Sequence, residues 1–204
     1  MWLGGLLDGA PLLLALGIAF VLGLRHATDP DHLVAVTSVV VADEGDVRAA
    51  LRLGAWWGVG HSAILLAVGL PLIAFSEELP RWLERGAETA VGVVIVALAV
   101  RVIVRWLRPA PPHRPLRTPL QALGIGMLHG LAGTGAVVVL LLAALPDPLH
   151  AAAALGAFAP MSIVSMALCT SAFAWALTRG ELCRAVLVPA VGAVGLAFGL
   201  WYAL

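Results

Sequence analysis

The sequence predicts an all-α polytopic membrane protein, six transmembrane helices built as an inverted repeat of two three-helix halves. Three observations carry that expectation. The 204 residues are 61% hydrophobic and only 12% charged, with a mean hydropathy of +1.00, far from the composition of a soluble domain. Apolar runs long enough to cross a bilayer, about 20 residues each, recur six times. Short matches also repeat about a hundred residues apart along the chain.

The expected spans are residues 10–41, 54–75, 87–107, 119–145, 149–177 and 185–204. The first, fourth and fifth exceed a straight crossing, and tilt, kinks or unwinding absorb the excess. No Lys or Arg precedes Arg25, so the first run lacks the basic start of a signal peptide and is expected to stay in the mature protein. It holds Gly23 to Ser38, GLRHATDPDHLVAVTS, which places Arg25, His26, Asp29, Asp31 and His32 inside one span. Ionisable groups at that depth are costly and read as functional. Pro30 has no amide hydrogen and crowds the carbonyl of His26, while Asp29 before it is biased away from the α region. A kink or break is expected there.

The second span carries His61 in WWGVGHS. After the third, Arg101, Arg105, Arg108, Arg114 and Arg117 with Pro109, Pro111, Pro112 and Pro115 form a basic, proline-rich connection expected in the cytoplasm. Residues 109–118 thus link a first half, 1–108, to a second, 119–204, in one transmembrane domain. Outside the motif nine arginines then lie inward and Arg81 and Arg85 outward, which puts both termini outside the cytoplasmic (cell inner) membrane. The fourth span carries His129 among Gly124, Gly126, Gly130, Gly133 and Gly135, small residues that permit close helix approach or unwinding. This run lacks the Lys of a phosphate loop. Cys169 and Cys183 read as structural, the methionines as packing, His113 and His150 as loop residues without a role, and the seven Trp as interfacial anchors.

Gly23–His26 and Gly126–His129 both read G-x-x-H, and Ala90–Gly92 recurs as Ala190–Gly192. Halves of three spans each must be inverted relative to one another, an architecture of secondary transporters with a site near the midplane at interrupted helices. In this alignment Ala132, Thr134 and Gly135 stand opposite Asp29, Asp31 and His32.

On a regular helix His26 and His32 lie about 120° apart, so a local break is what lets His26, Asp31, His32 and Asp29 converge. Imidazoles with carboxylates form a nitrogen and oxygen ligand set suited to Ni, Co, Zn, Fe or Mn and unsuited to Cu(I), Ca or Mg. His61 and His129 are further candidate ligands. Arg25 cannot coordinate a cation. Ser62 and Thr134 could support ligands, although interhelical hydrogen bonding is the commoner use of such hydroxyls. Balanced charge argues against nucleic acid as a partner.

Residues 25–33, RHATDPDHL, resemble the H-x4-D-H signature of the nickel/cobalt transporter family (NiCoT, within the NicO group), with His26, Asp31 and His32 in the signature positions. Gly60–Ser62 resembles a second block of that family, and His129–Ala136, HGLAGTGA, resembles its short UreH-like members. The resemblance implies uptake of Ni2+ or Co2+ as transported substrate, no required cofactor and no enzymatic activity. Metal recognition would fall to the signature residues. The chain departs from longer members in having six expected spans, with the signature on the first, and in lacking their later acidic motifs. Alternating access between inverted halves, driven by a gradient because no ATP-binding motif is present, is the expected mechanism. An exporter on the same scaffold and an intramembrane metalloenzyme are the alternatives. The expected partners are the divalent metal and the bilayer, with a homo-oligomer and a cytoplasmic metallochaperone left open.

Overall fold

The computed structural model describes residues 2–28, 32, 46–108, 118–145 and 147–203. Six helices are delimited among them: α1, Trp2–His26; α2, Val47–Phe75; α3, Arg81–Leu107; α4, Pro119–Ala144; α5, Pro148–Leu177; and α6, Glu181–Ala203. By length and composition α2, α3, α5 and the Ala185–Ala203 part of α6 can each cross a membrane, and Leu12–His26 is a shorter apolar helix. Large apolar side chains such as Phe75, Leu120, Leu149 and Val186 face outward, as the lipid-exposed side of a helical membrane protein requires. Among the described residues the protein is all-helical, with the long apolar helices of a membrane protein.

Helix starts are where hydropathy falls short. α2 begins seven residues before the expected span because Asp46 caps it, accepting from the amides of Arg48 (2.9 Å) and Ala49 (3.2 Å). Such capping turns are polar and so are invisible to an apolar window. α4 begins where expected, behind a capping box in which Thr118 accepts from the Gln121 amide and Gln121 accepts from the Thr118 amide. α1 departs most: it starts at Trp2 and ends at His26, and residues 33–41 of the expected span lie outside the described residues. The expected interruption is therefore present, and it comes before Pro30. Its reason is local, since Thr28 turns back to donate from both its amide (2.9 Å) and its hydroxyl (2.6 Å) to the Arg25 carbonyl. Unwinding of the fourth span does not occur, because α4 runs unbroken through its glycines.

The helices sort into two packed groups. α2 lies between α4 and α5, and α1 lies on α5, while α3 pairs with α6 and reaches the rest mainly through α4. Leu65, Ile73, Val138, Leu155 and Phe158 fill the centre of the first group. Val91, Ile95 and Ala132, with Phe198 and Tyr202 against them, fill the seam between α3, α4 and α6. Every extensive helix pairing among the described residues joins an element of 1–108 to one of 119–203. The two sequence halves interleave.

Close approach makes this packing possible at α2 and α4. A Cβ on Gly60 would strike the Leu123 carbonyl, one on Gly126 the Trp57 carbonyl, and one on Gly130 would lie 2.5 Å from the His61 carbonyl oxygen. Glycine here lets the two backbones touch, which is how membrane helices gain association energy without a hydrophobic drive.

Candidate metal centre

Three histidines from separate parts of the chain meet inside the first group. His26 ends α1, His61 sits near the middle of α2, and His32 follows the α1 break; one ligand nitrogen from each lies within 4.8 Å of the others. His26 Nε2 and His61 Nε2 are 3.0 Å apart. Taking about 2.0–2.1 Å from an imidazole nitrogen to a divalent metal, as for zinc, two neighbouring ligand nitrogens lie about 2.9–3.4 Å apart. The pair is thus already spaced for one ion, sharing a proton where the ion would sit.

His129 joins from α4, its ring centroid 5.4 Å from that of His32. Its Nδ1 lies 3.3 Å from the Ile125 carbonyl. A carbonyl only accepts, so Nδ1 carries the proton and Nε2 keeps the lone pair, the orientation that backbone partners impose on metal-binding histidines. His32, His61 and His129 are almost wholly buried. Of the six candidate ligands the structure brings together His26, His32, His61 and His129; Asp29 and Asp31 lie outside the described residues. Histidine side chains at this depth without a use would be costly.

Two aromatic walls enclose the cluster, and hydropathy gave no sign of either. Trp57 stacks on His32 (centroids 5.7 Å, 20° between planes) and meets His129 edge-on (5.3 Å, 74°), and Phe158 of α5 meets His26 edge-on (5.1 Å, 62°). Trp57 is therefore a buried site residue, unlike the exposed Trp82, Trp106 and Trp201 that suit interfacial anchoring. Its sequence signal is the i, i+4 spacing to His61, which puts both on one helix face. The arrangement occurs twice: Gly23 abuts the Phe158 carbonyl beside His26, and Gly126 abuts the Trp57 carbonyl beside His129.

The supporting hydroxyls do what membrane helices commonly ask of them. Ser62 donates to the Ala159 carbonyl across α2 and α5 (2.8 Å), and Thr134 donates to the Gly130 carbonyl within α4 (2.5 Å). His150 pairs with Asp147 at 3.5 Å at the start of α5, and Arg25 points outward.

A helical membrane protein with a buried imidazole cluster at a helix interruption offers a donor set that a transition-metal ion could occupy. Which such proteins it is similar to follows from comparison. Residues 12–108 match the NicO family, described as high-affinity nickel-transport protein. The chain is 32% identical to the urease accessory protein UreH of Bacillus sp. over 66% of its length and 64% of that protein's. It is 36% identical to a high-affinity nickel transport protein of Cupriavidus necator over 44% of this chain and 25% of the other. A protein of Methanocaldococcus jannaschii named as a nickel/cobalt efflux system is 25% identical, over 61% and 58%. The similarity spans less than two thirds of each relative's length. No solved structure matches. The likeness to nickel/cobalt transporters, short UreH-like members included, is borne out.

Trp57 also offers a reporter. Ni2+ and Co2+ quench indole emission at short range, so saturable quenching of up to about a seventh of the emission from the seven tryptophans is expected on titration. The saturable part should vanish in Trp57→Phe; its persistence would place the ion elsewhere.

Proposed function

We propose that the protein is a secondary transporter that carries Ni2+ or Co2+ into the cell across the cytoplasmic membrane, with six spans and both termini outside. The observation that carries this reading is the convergence of His26, His32 and His61 within 4.8 Å, with His129 alongside, in a chain similar to nickel-transport proteins. The donor set fits the cargo: imidazoles suit borderline divalent ions and give Ca2+ and Mg2+ little. Neutral imidazoles would leave a divalent ion uncompensated in a low-dielectric interior, which is prohibitive. Asp29 and Asp31, between His26 and His32 in the chain, supply two negative charges and complete the site in this reading.

Charge balance then suggests the coupling. If both carboxylates stay ionised when the site is empty, each ion carries two positive charges inward and the inside-negative membrane potential drives its entry; a site that returned protonated would instead exchange two protons for each ion. Metal binding to His and carboxylate ligands releases protons in any case. Two-fold features support the inverted repeat: the glycine, histidine and aromatic arrangement around His26 recurs around His129, and the pairings α1–α5 and α2–α4 exchange under such a symmetry. Because the halves interleave, access is best alternated by the α3–α6 pair moving against the α1, α2, α4 and α5 group, since swinging one half would break every extensive pairing.

Purified protein in liposomes should admit Ni2+ or Co2+ saturably, with entry driven by an inside-negative membrane potential. Metal bound but never moved, in either orientation, would overturn the transporter and favour a metalloenzyme. Export is the second reading, favoured by the name of the Methanocaldococcus jannaschii relative; it predicts exchange, in which protons entering down the physiological gradient drive the ion outward.

A further inference from the structure

The end of α1 is held by α5 as well as by its own last turn. Ser165, buried on α5, donates its hydroxyl hydrogen to the Leu24 carbonyl and accepts from the Ala27 amide at 3.3 Å. One turn further along α5 the Cys169 thiol lies 3.6 Å from the Ala27 carbonyl. Gly23 allows the approach, since a Cβ there would stand 2.6 Å from the Phe158 carbonyl oxygen. Three backbone groups on either side of His26 are therefore tied to one face of α5, at the point where the helical hydrogen bonds of α1 run out.

We infer that Ser165 is a positioning residue for His26: by bridging the Leu24 carbonyl and the Ala27 amide it fixes the last turn of α1, and so sets His26 Nε2 within hydrogen-bond distance of His61 Nε2. No other side chain among the hydrogen bonds described holds that turn at two backbone groups. The hydroxyl also satisfies the Ala27 amide, which is wholly buried and would be costly to leave unmade. Neither hydrogen bond described for Ser165 reaches a ligand atom. Its effect on the ion is indirect, through the direction in which the His26 ring points, as for the outer partners of metal-binding histidines generally. The part of this inference that concerns the metal rests on the transport reading above, and the part that concerns the imidazole pair rests on geometry alone.

The test separates the two. Full-length protein labelled with 15N-histidine is placed in lipid, and the signals of the hydrogen-bonded His26–His61 pair are identified by their change in His61→Ala. In metal-free Ser165→Ala the pair's signature should disappear, while Ser165→Thr, which keeps the hydroxyl, should retain it with unchanged helicity. Ser165→Cys, of nearly the same shape with a weaker donor, gives the same reading should the alanine variant unfold. Co2+ titration should then show a loss of roughly 10- to 100-fold in affinity for Ser165→Ala, with altered ligand-field bands, and recovery in Ser165→Thr. An unaltered pair signature in a folded Ser165→Ala overturns the inference whatever the metal does. A lost signature in a protein whose wild type binds no Co2+ or Ni2+ supports the positioning role and overturns the transport reading instead.

Discussion

Replacing His26 and His61 together by leucine is expected to abolish metal entry while leaving the protein as stable in detergent as before, or more so. The two effects have opposite signs for one reason. Two imidazoles 3.0 Å apart are taken out of water to be there, and their mutual hydrogen bond returns only about 0.5–1.5 kcal/mol net. Exchanging both partners for apolar groups of similar size removes the desolvation cost along with the bond and is commonly neutral or stabilising. Single variants should behave differently: His61→Ala leaves a cavity beside the His26 and His32 rings and removes the hydrogen bond to His26, so it should lower the midpoint of thermal unfolding. For the ion, loss of a direct ligand should exceed the 10- to 100-fold typical of an outer partner, thus at least about 100-fold in affinity, or roughly 2.8 kcal/mol at 1.4 kcal/mol per tenfold. Calorimetric Ni2+ titration and thermal unfolding of the same samples read both quantities. A stable double variant that still transports at the wild-type rate would remove His26 and His61 from the ion's path.

That the site costs stability explains why so much of it was legible. His26, His32, His61 and His129 stand out in the sequence because apolar helices do not carry imidazoles idly, and the structure brings those four together. The interruption of α1 was legible too, through Pro30, although the helix ends earlier, where Thr28 and Ser165 take over its last carbonyls. Trp57 and Phe158 were not legible as site walls: an aromatic in a membrane span has the same hydropathy whether it meets lipid, the interface or an imidazole. Ser165 was hidden for a related reason, since one more small hydroxyl in an Ala-rich helix signals nothing until its neighbour is known. The interleaving of the halves was equally beyond reach. A sequence repeat fixes which elements correspond, and says nothing about whether each packs within its own half or against the other.

The glycines of α2 and α4 give the sharpest test of that interleaving. Gly126→Ala should destabilise by about 1–3 kcal/mol, the usual cost of overpacking, and Gly126→Leu should prevent the fold. A Cβ at Gly126 would overlap the Trp57 carbonyl and lie 2.6 Å from Trp57 Cδ1. A backbone carbonyl inside a helix cannot rotate away, so the whole of α4 must move off α2. Gly60 and Gly130 face equally rigid backbone of the opposite helix, and the shift therefore cannot be absorbed by tilting about a neighbouring contact. Gly124 and Gly133 on the same α4 have open space at the Cβ position, and alanine there should change stability little, or raise it slightly through better helix propensity. Unfolding midpoints in detergent for alanine at Gly124, Gly126, Gly130 and Gly133 make the comparison, at matched composition and in one helix. Because Trp57 and His61 supply the carbonyls that Gly126 and Gly130 touch, forcing the helices apart also displaces the stacked His32 ring and the His61 nitrogen. Any Gly126→Ala protein that folds should therefore bind Ni2+ less tightly, whereas Gly133→Ala should bind as the wild type does. Equal stability and equal affinity across all four variants would mean that α2 and α4 do not cross where their glycines meet.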